Sequence, residues 1–69
     1  MNYTNLLKKC LEFMRLSGVK VSALCNRVGI GRTTFYRWRW GETRISSRLA
    51  HRINRYLAQF GFDVVGDWG

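Results

Sequence analysis

Sixty-nine residues make one domain at most. A chain of this size buries only about 60% of the surface its unfolded form exposes, so its core is marginal. Twelve Lys and Arg stand against four Asp and Glu, a net charge of +8, and hydrophobic residues make up 46% of the chain, too many for a disordered basic tail. These numbers exclude a large enzyme, a multidomain receptor and a low-complexity linker. They favour a small folded module with an extended anion as partner, nucleic acid first and an anionic membrane surface second.

Cys10 and Cys25 do not amount to the several bridges on which small secreted scaffolds depend. Both fall inside apolar-periodic segments and read as reduced, buried small side chains of a cytoplasmic protein. With His51 the single histidine and no Cys-x-x-Cys spacing, a four-ligand zinc site cannot be assembled, so no metal and no other cofactor is expected. No apolar run approaches the roughly 18 residues of a membrane span. Lys8 and Lys9 interrupt the N-terminal run, which therefore does not read as a signal peptide.

The chain has no proline, and its glycines punctuate it. The first helix is expected over Thr4–Leu16. Leu6, Leu7, Cys10, Leu11, Phe13 and Met14 recur at helical spacing, and Lys8, Lys9, Glu12 and Arg15 fill the other side. Ser17-Gly18 ends it. The second helix runs from Val21 to Val28 with Val21, Leu24, Cys25 and Val28 on one face, and Gly29-Ile30-Gly31 is a tight turn. The third runs from Arg32 to Trp40, where Gly41 stops it. The fourth starts with Ser46 as N-cap and runs to Phe60, with Leu49, Ile53, Tyr56, Leu57 and Phe60 as its apolar stripe. Residues 61–69 form a tail in which Phe62-Asp63-Val64-Val65 reads as a short β-strand without an internal partner. The expected fold is mainly α: one domain over residues 1–69, four helices and a C-terminal strand.

Two short helices around a glycine turn suggest a helix-turn-helix over residues 21–40. Such a motif needs a small residue where its helices touch, a left-handed glycine at the turn and apolar anchors for its second helix. Cys25, Gly29, and Ile30, Phe35 and Trp38 supply these in turn. On Leu24-Cys25, Gly29-Ile30, Phe35, Trp38 and Gly41 the segment resembles the lambda-repressor-like, Cro-type helix-turn-helix family, also called the xenobiotic-response-element family. The likeness is close over residues 20–46, and the flanking helices follow the family's order. Gly31 departs from the usual Ser or Thr cap, and Cys25 from alanine.

At about 100° per residue, Phe35 and Trp38 point one way. Arg32, Thr33, Tyr36, Arg37 and Trp40 lie on or beside the opposite face. An α-helix fits the major groove, where Arg reads guanine with two parallel hydrogen bonds. Arg32 and Arg37 are the foremost candidates for base readout, and the resemblance implies base contact for Thr33, Tyr36 and Trp40 as well. Trp40 has two open readings, packing on the following loop or stacking at the DNA backbone. Lys20 and Ser22 at the start of the second helix, and Arg39, Thr43, Arg44 and Ser46 around the end of the third, are candidates for phosphate contact. Arg48, Arg52 and Arg55 form a basic stripe that reads first as a solvated face. His51 reads as a surface residue and Trp38 as core.

The expected function is that of a sequence-specific regulator of transcription that binds double-stranded DNA. It reads as a repressor of phage or mobile-element type, acting in the cytoplasm without a small-molecule effector. One motif covers one half-site, so a homodimer on a palindromic operator is expected, with half-sites about 34 Å apart. Phe62, Val64, Val65 and Trp68 are its candidate dimer contacts, through antiparallel pairing of the tail strand; the competing expectation is a tail folded back on its own helices. The alternative function is a small inhibitor or adaptor that grips an acidic protein partner with its Arg-rich face. A membrane-active cationic peptide, suggested by Arg37-Trp38-Arg39-Trp40, fits poorly, because the apolar residues divide among four helices. Four acids and one His build no Ser-His-Asp, paired-carboxylate or phosphate-loop arrangement, so the chain reads as a binder and not an enzyme.

Overall fold

The computed structural model describes residues 3–66 and 68. Among them are four helices: α1 (Thr4–Ser17), α2 (Val21–Val28), α3 (Arg32–Arg39) and α4 (Ser47–Ala58). No helix is long and apolar enough to cross a membrane. The expected boundaries hold to within a residue or two. Trp40 caps α3 instead of extending it. The last turn of α4 tightens, with Gln59 and Phe60 donating to Tyr56 and Leu57 carbonyls, before the chain turns at Gly61.

Each helix buries part of the stripe that its spacing prescribes; of the stripe expected for α4, Phe60 is 50% exposed, whereas Ala50, outside that stripe, is buried. Leu6, Cys10 and Phe13 come from α1, Leu24, Cys25 and Val28 from α2, Phe35 and Trp38 from α3, and Ala50, Ile53 and Leu57 from α4. The connections add a plug each, Ile30 in the α2–α3 turn, Ile45 before α4 and Val64 after it. α4 packs against both α1 and α2, and α3 is held chiefly by α2. Burying one such Leu, Ile or Phe side chain is worth about 1.5–3 kcal/mol.

The turn between α2 and α3 is set by backbone chemistry. Gly29 lies at φ +85°, a conformation that costs a side-chain-bearing residue about 1–2 kcal/mol. From there the Gly29 and Ile30 N–H groups both donate to the Cys25 carbonyl, at 2.8 and 3.0 Å, and Ile30 drops into the core. α3 ends the same way. Gly41 donates to Trp38 at 3.1 Å and Glu42 to Arg37 at 2.8 Å, which ties off the helix's last carbonyls. Ser46 caps α4 as expected, its Oγ accepting the Leu49 N–H at 3.2 Å.

The tail departs from expectation. No strand forms among the described residues. Residues 62–65 fold back as extended loop along α1 and α4. The Val64 N–H, which the strand reading left in need of a partner chain, donates to Asn54 Oδ1 at 2.6 Å. The Val64 side chain is buried, and Phe62 packs edge-on against Phe13 with ring centroids 5.5 Å apart. Trp68 meets Tyr3 edge-on at 5.9 Å and tilts against His51 at 4.9 Å. Of the four residues assigned to a dimer strand, Val65 alone is freely exposed, at 85%. Antiparallel pairing of this segment would have to proceed with the Val64 N–H already given to Asn54. The competing expectation, a tail folded onto its own helices, is the arrangement found.

Both cysteines are buried and free. Burial pushes the Cys10 thiol up from an ordinary 9.0 to about 12, with the neighbouring Cys25 adding to the rise. Cys25 is raised too, by burial foremost, against a lowering pull from Arg32.

Two outcomes follow. Asn54→Ala strands the Val64 N–H and should cost about 1–3 kcal/mol in urea unfolding. The folded Cys10 thiol holds its proton where the unfolded one releases it, so its contribution to stability is complete below pH 9.0 and is lost as pH rises toward about 12. Urea midpoints measured across that window should fall more steeply for the native chain than for Cys10→Ala; equal slopes would refute the assignment.

Candidate nucleic-acid interface

The outward face of α3 is polar and cationic because its inward face is consumed by Phe35 and Trp38. Arg32, Thr33, Arg37, Arg39 and Trp40 are exposed and Tyr36 is half-buried. Together with α1 and the start of α2, this helix borders an open groove of about 1180 Å³. Six of the eleven residues expected to contact DNA line it: Lys20, Ser22, Arg32, Thr33, Tyr36 and Arg39. Lys8 and Arg15 of α1 add two more cations. The groove's acid, Glu12, is engaged by Lys9 at 4.0 Å, the one ion pair among the described residues. Five cations, Lys8, Arg15, Lys20, Arg32 and Arg39, therefore carry uncompensated charge into one concavity. An enclosed, mainly apolar ligand pocket has a different character.

Two helix N-termini reinforce this field. α2 begins after Lys20 and α3 after Gly31, both extended and neither with a side-chain cap. Their first-turn N–H groups are left for water or an anion, at the positive end of each helix dipole. α4, by contrast, is closed by Ser46. Gly31, which weakens α3 as an isolated helix, leaves that N-terminus open.

The other five expected contacts lie outside the groove. Arg37 is exposed on the far flank of α3, roughly 140° round from Arg32 at 100° per residue. Trp40, at the C-cap, stacks on Tyr36 with centroids 5.4 Å apart and planes 25° from parallel. Neither reading of Trp40 foresaw that partner. Thr43 is half-buried, its Oγ1 3.5 Å from the Arg44 carbonyl it donates to, while Arg44 is exposed in the loop. The Ser46 hydroxyl oxygen is taken up by its helix cap, which leaves its hydrogen to offer a phosphate.

Sequence reasoning passed over Lys8 and Arg15. Their signal was present, since Lys8, Glu12 and Arg15 fall at i, i+4 and i+7 on one helical face. It left open the role of Arg52, which is exposed and whose guanidinium lies over Gly29 so closely that a Cβ there would meet its Nη2. A cation at the C-terminus of α2 meets the negative end of that helix's dipole, worth about 0.3–1 kcal/mol. Arg52 thus lies over the turn from which α3 departs, positioned to brace it. Arg48 and Arg55 remain exposed on α4.

No family model, no curated protein and no solved structure matches this chain.

The brace is testable. Gly29→Ala incurs both left-handed strain and displacement of Arg52, whereas Gly41→Ala, at φ +76° in open space, incurs strain alone. Gly29→Ala should therefore be the more destabilising, both in the range of about 1–2 kcal/mol or somewhat above. The difference should vanish when each is combined with Arg52→Ala; if it persists, Arg52 does not brace the turn.

Proposed function

We propose that this chain is a sequence-specific regulator that binds double-stranded DNA, placing α3 in the major groove and the N-terminus of α2 on the phosphate backbone. The observation that carries the reading is the shared groove. Residues of α3 and of the start of α2, selected separately as base or phosphate contacts, meet Lys8 and Arg15 of α1 on one concave face with five uncompensated cations and two open helix N-termini. The likeness of residues 20–46 to Cro-type helix-turn-helix segments supports the same docking.

α3 is about 12 Å long at 1.5 Å per residue, so its exposed face spans three or four base pairs. Arg32 at its first turn and Arg37 on its flank are suited to guanine edges. Lys20, Ser22, Arg39 and Arg44 are suited to phosphates, which supply affinity without sequence information. One half-site of this size gives modest specificity, so the working unit is a homodimer on a palindrome. Repression follows from occupancy of a promoter by such a dimer. Within one chain the Val64 N–H is engaged by Asn54 and Val65 stays exposed, so Val65 is the tail residue best placed for a dimer contact.

Selection of bound sequences from a random duplex pool tests the reading, and should return one half-site repeated about 34 Å apart. On that sequence Arg32→Ala should cost about 1–3 kcal/mol and relax preference at a single base pair. Lys20→Ala should weaken all duplexes alike and reduce the slope of log affinity against log salt by about one. A pool that enriches no sequence would overturn the reading in favour of an acidic protein partner.

A further inference from the structure

We propose that Tyr36 and Trp40 act as one unit, a stacked ring pair that receives the C5 methyl group of a thymine in the major groove. The inference rests on the duplex-DNA reading above and adds to it a base identity and the chemistry that selects it.

An indole that is 66% exposed needs an explanation in a chain whose core is marginal. Trp38, two residues earlier, is only 2% exposed, so the helix had no shortage of room for a buried ring. Nor is Trp40 loose. Its ring lies 5.4 Å from that of Tyr36 at 25°, and its own N–H continues the helix to the Tyr36 carbonyl at 3.1 Å. The Gly41 and Glu42 hydrogen bonds to Trp38 and Arg37 fix the backbone immediately beyond it. Tyr36 is in turn buttressed edge-on by the fully buried Phe35, with centroids 6.2 Å apart. The pair is therefore a preorganised apolar surface one turn long, tied to the core through Phe35.

Its surroundings identify the occupant. Trp40 is bracketed along the chain by Arg37, Arg39 and Arg44, all exposed, and Tyr36 shares the basic groove with Arg32 and Arg39. A cationic rim draws a polyanion onto an apolar centre. Phe60, another exposed ring, differs: it packs directly on the buried Phe13 as well as on Tyr56. Within a duplex, the base edges in the major groove present hydrogen-bonding groups at every pair and an apolar group at one base alone, the methyl of thymine. Arginines on either flank read the polar edges, and two stacked rings between them fit the methyl.

The experiment uses the full chain and the duplex selected from the random pool. Each thymine is replaced singly by deoxyuridine, which removes the methyl and leaves the hydrogen-bonding groups unchanged. One thymine position in each half-site should lose about three- to tenfold in affinity, the scale of one buried methyl. Trp40→Ala should bind more weakly and lose the sensitivity to uracil at that position, Trp40→Phe should keep most of it, and Arg32→Ala should keep it in full. Circular dichroism checks that each variant is folded, which the exposure of Trp40 favours. The proposal is overturned if uracil changes nothing at any position, or if Trp40→Ala remains as sensitive as the native chain. In either case the selected sequence itself, with its dependence on Arg32, leaves the DNA reading standing. Tighter binding to the single strand of the same sequence would overturn it too, because the rings would then be a stacking platform for unpaired bases. A pool with no enriched sequence overturns both readings together.

Discussion

Neither α2 nor α3 can exist alone. Each is eight residues long, two turns, well below the roughly 12–15 residues at which isolated helices become even marginal in water. Everything they present outward is positioned by what they bury inward. Leu24, Cys25 and Val28 hold α2 against α4, and Phe35 and Trp38 hold α3 against the rest. Gly29 and Ile30 set the angle between them, with two N–H groups converging on the Cys25 carbonyl. The direction of Arg32, Thr33, Tyr36 and Trp40 is thus a consequence of core packing.

That dependence explains the economy of the outer face. Polar side chains contribute little to holding a small fold together, since a surface ion pair is worth about 1 kcal/mol or less. The cations can be left uncompensated, and apart from Lys9–Glu12 they are so among the described residues. Self-repulsion among them is the cost, and a partner anion relieves it. The open N-termini of α2 and α3 follow the same logic. No side chain caps α1, α2 or α3, and at the last two an anion could take the place of a cap, whereas Ser46 closes α4.

Most of the architecture was legible in the sequence because its signals are local. The 3.6-residue apolar period located four helices, and left-handed glycines at Gly18, Gly29, Gly41 and Gly61 marked their ends. Arg32, Thr33 and Tyr36 could be placed on one face of α3 by helical geometry alone, but that geometry also grouped with them Arg37 and Trp40, which lie outside the groove. What escaped was long-range. Phe62-Asp63-Val64-Val65 alternates as a strand does, and nothing near it in sequence shows that a carboxamide ten residues earlier takes its N–H. Arg52 looked like one cation of a solvated stripe, and only the approach of α4 to the α2 terminus turns it over Gly29. Lys8 and Arg15 had a readable spacing, but that α1 borders the groove is a matter of tertiary packing.

The seat of Val64 has a temporal consequence. α1 leaves a ribosome before its main partner α4, whose first residue lies more than forty positions after that of α1. Until α4 has emerged and Val64 has followed it into place, Leu6, Cys10 and Phe13 have little to pack against. That apolar stripe therefore waits for residues far along the chain, and the contacts that cover it are long-range. Lys8 and Lys9, set among those apolar residues, keep the waiting helix charged and discourage it from finding another chain first.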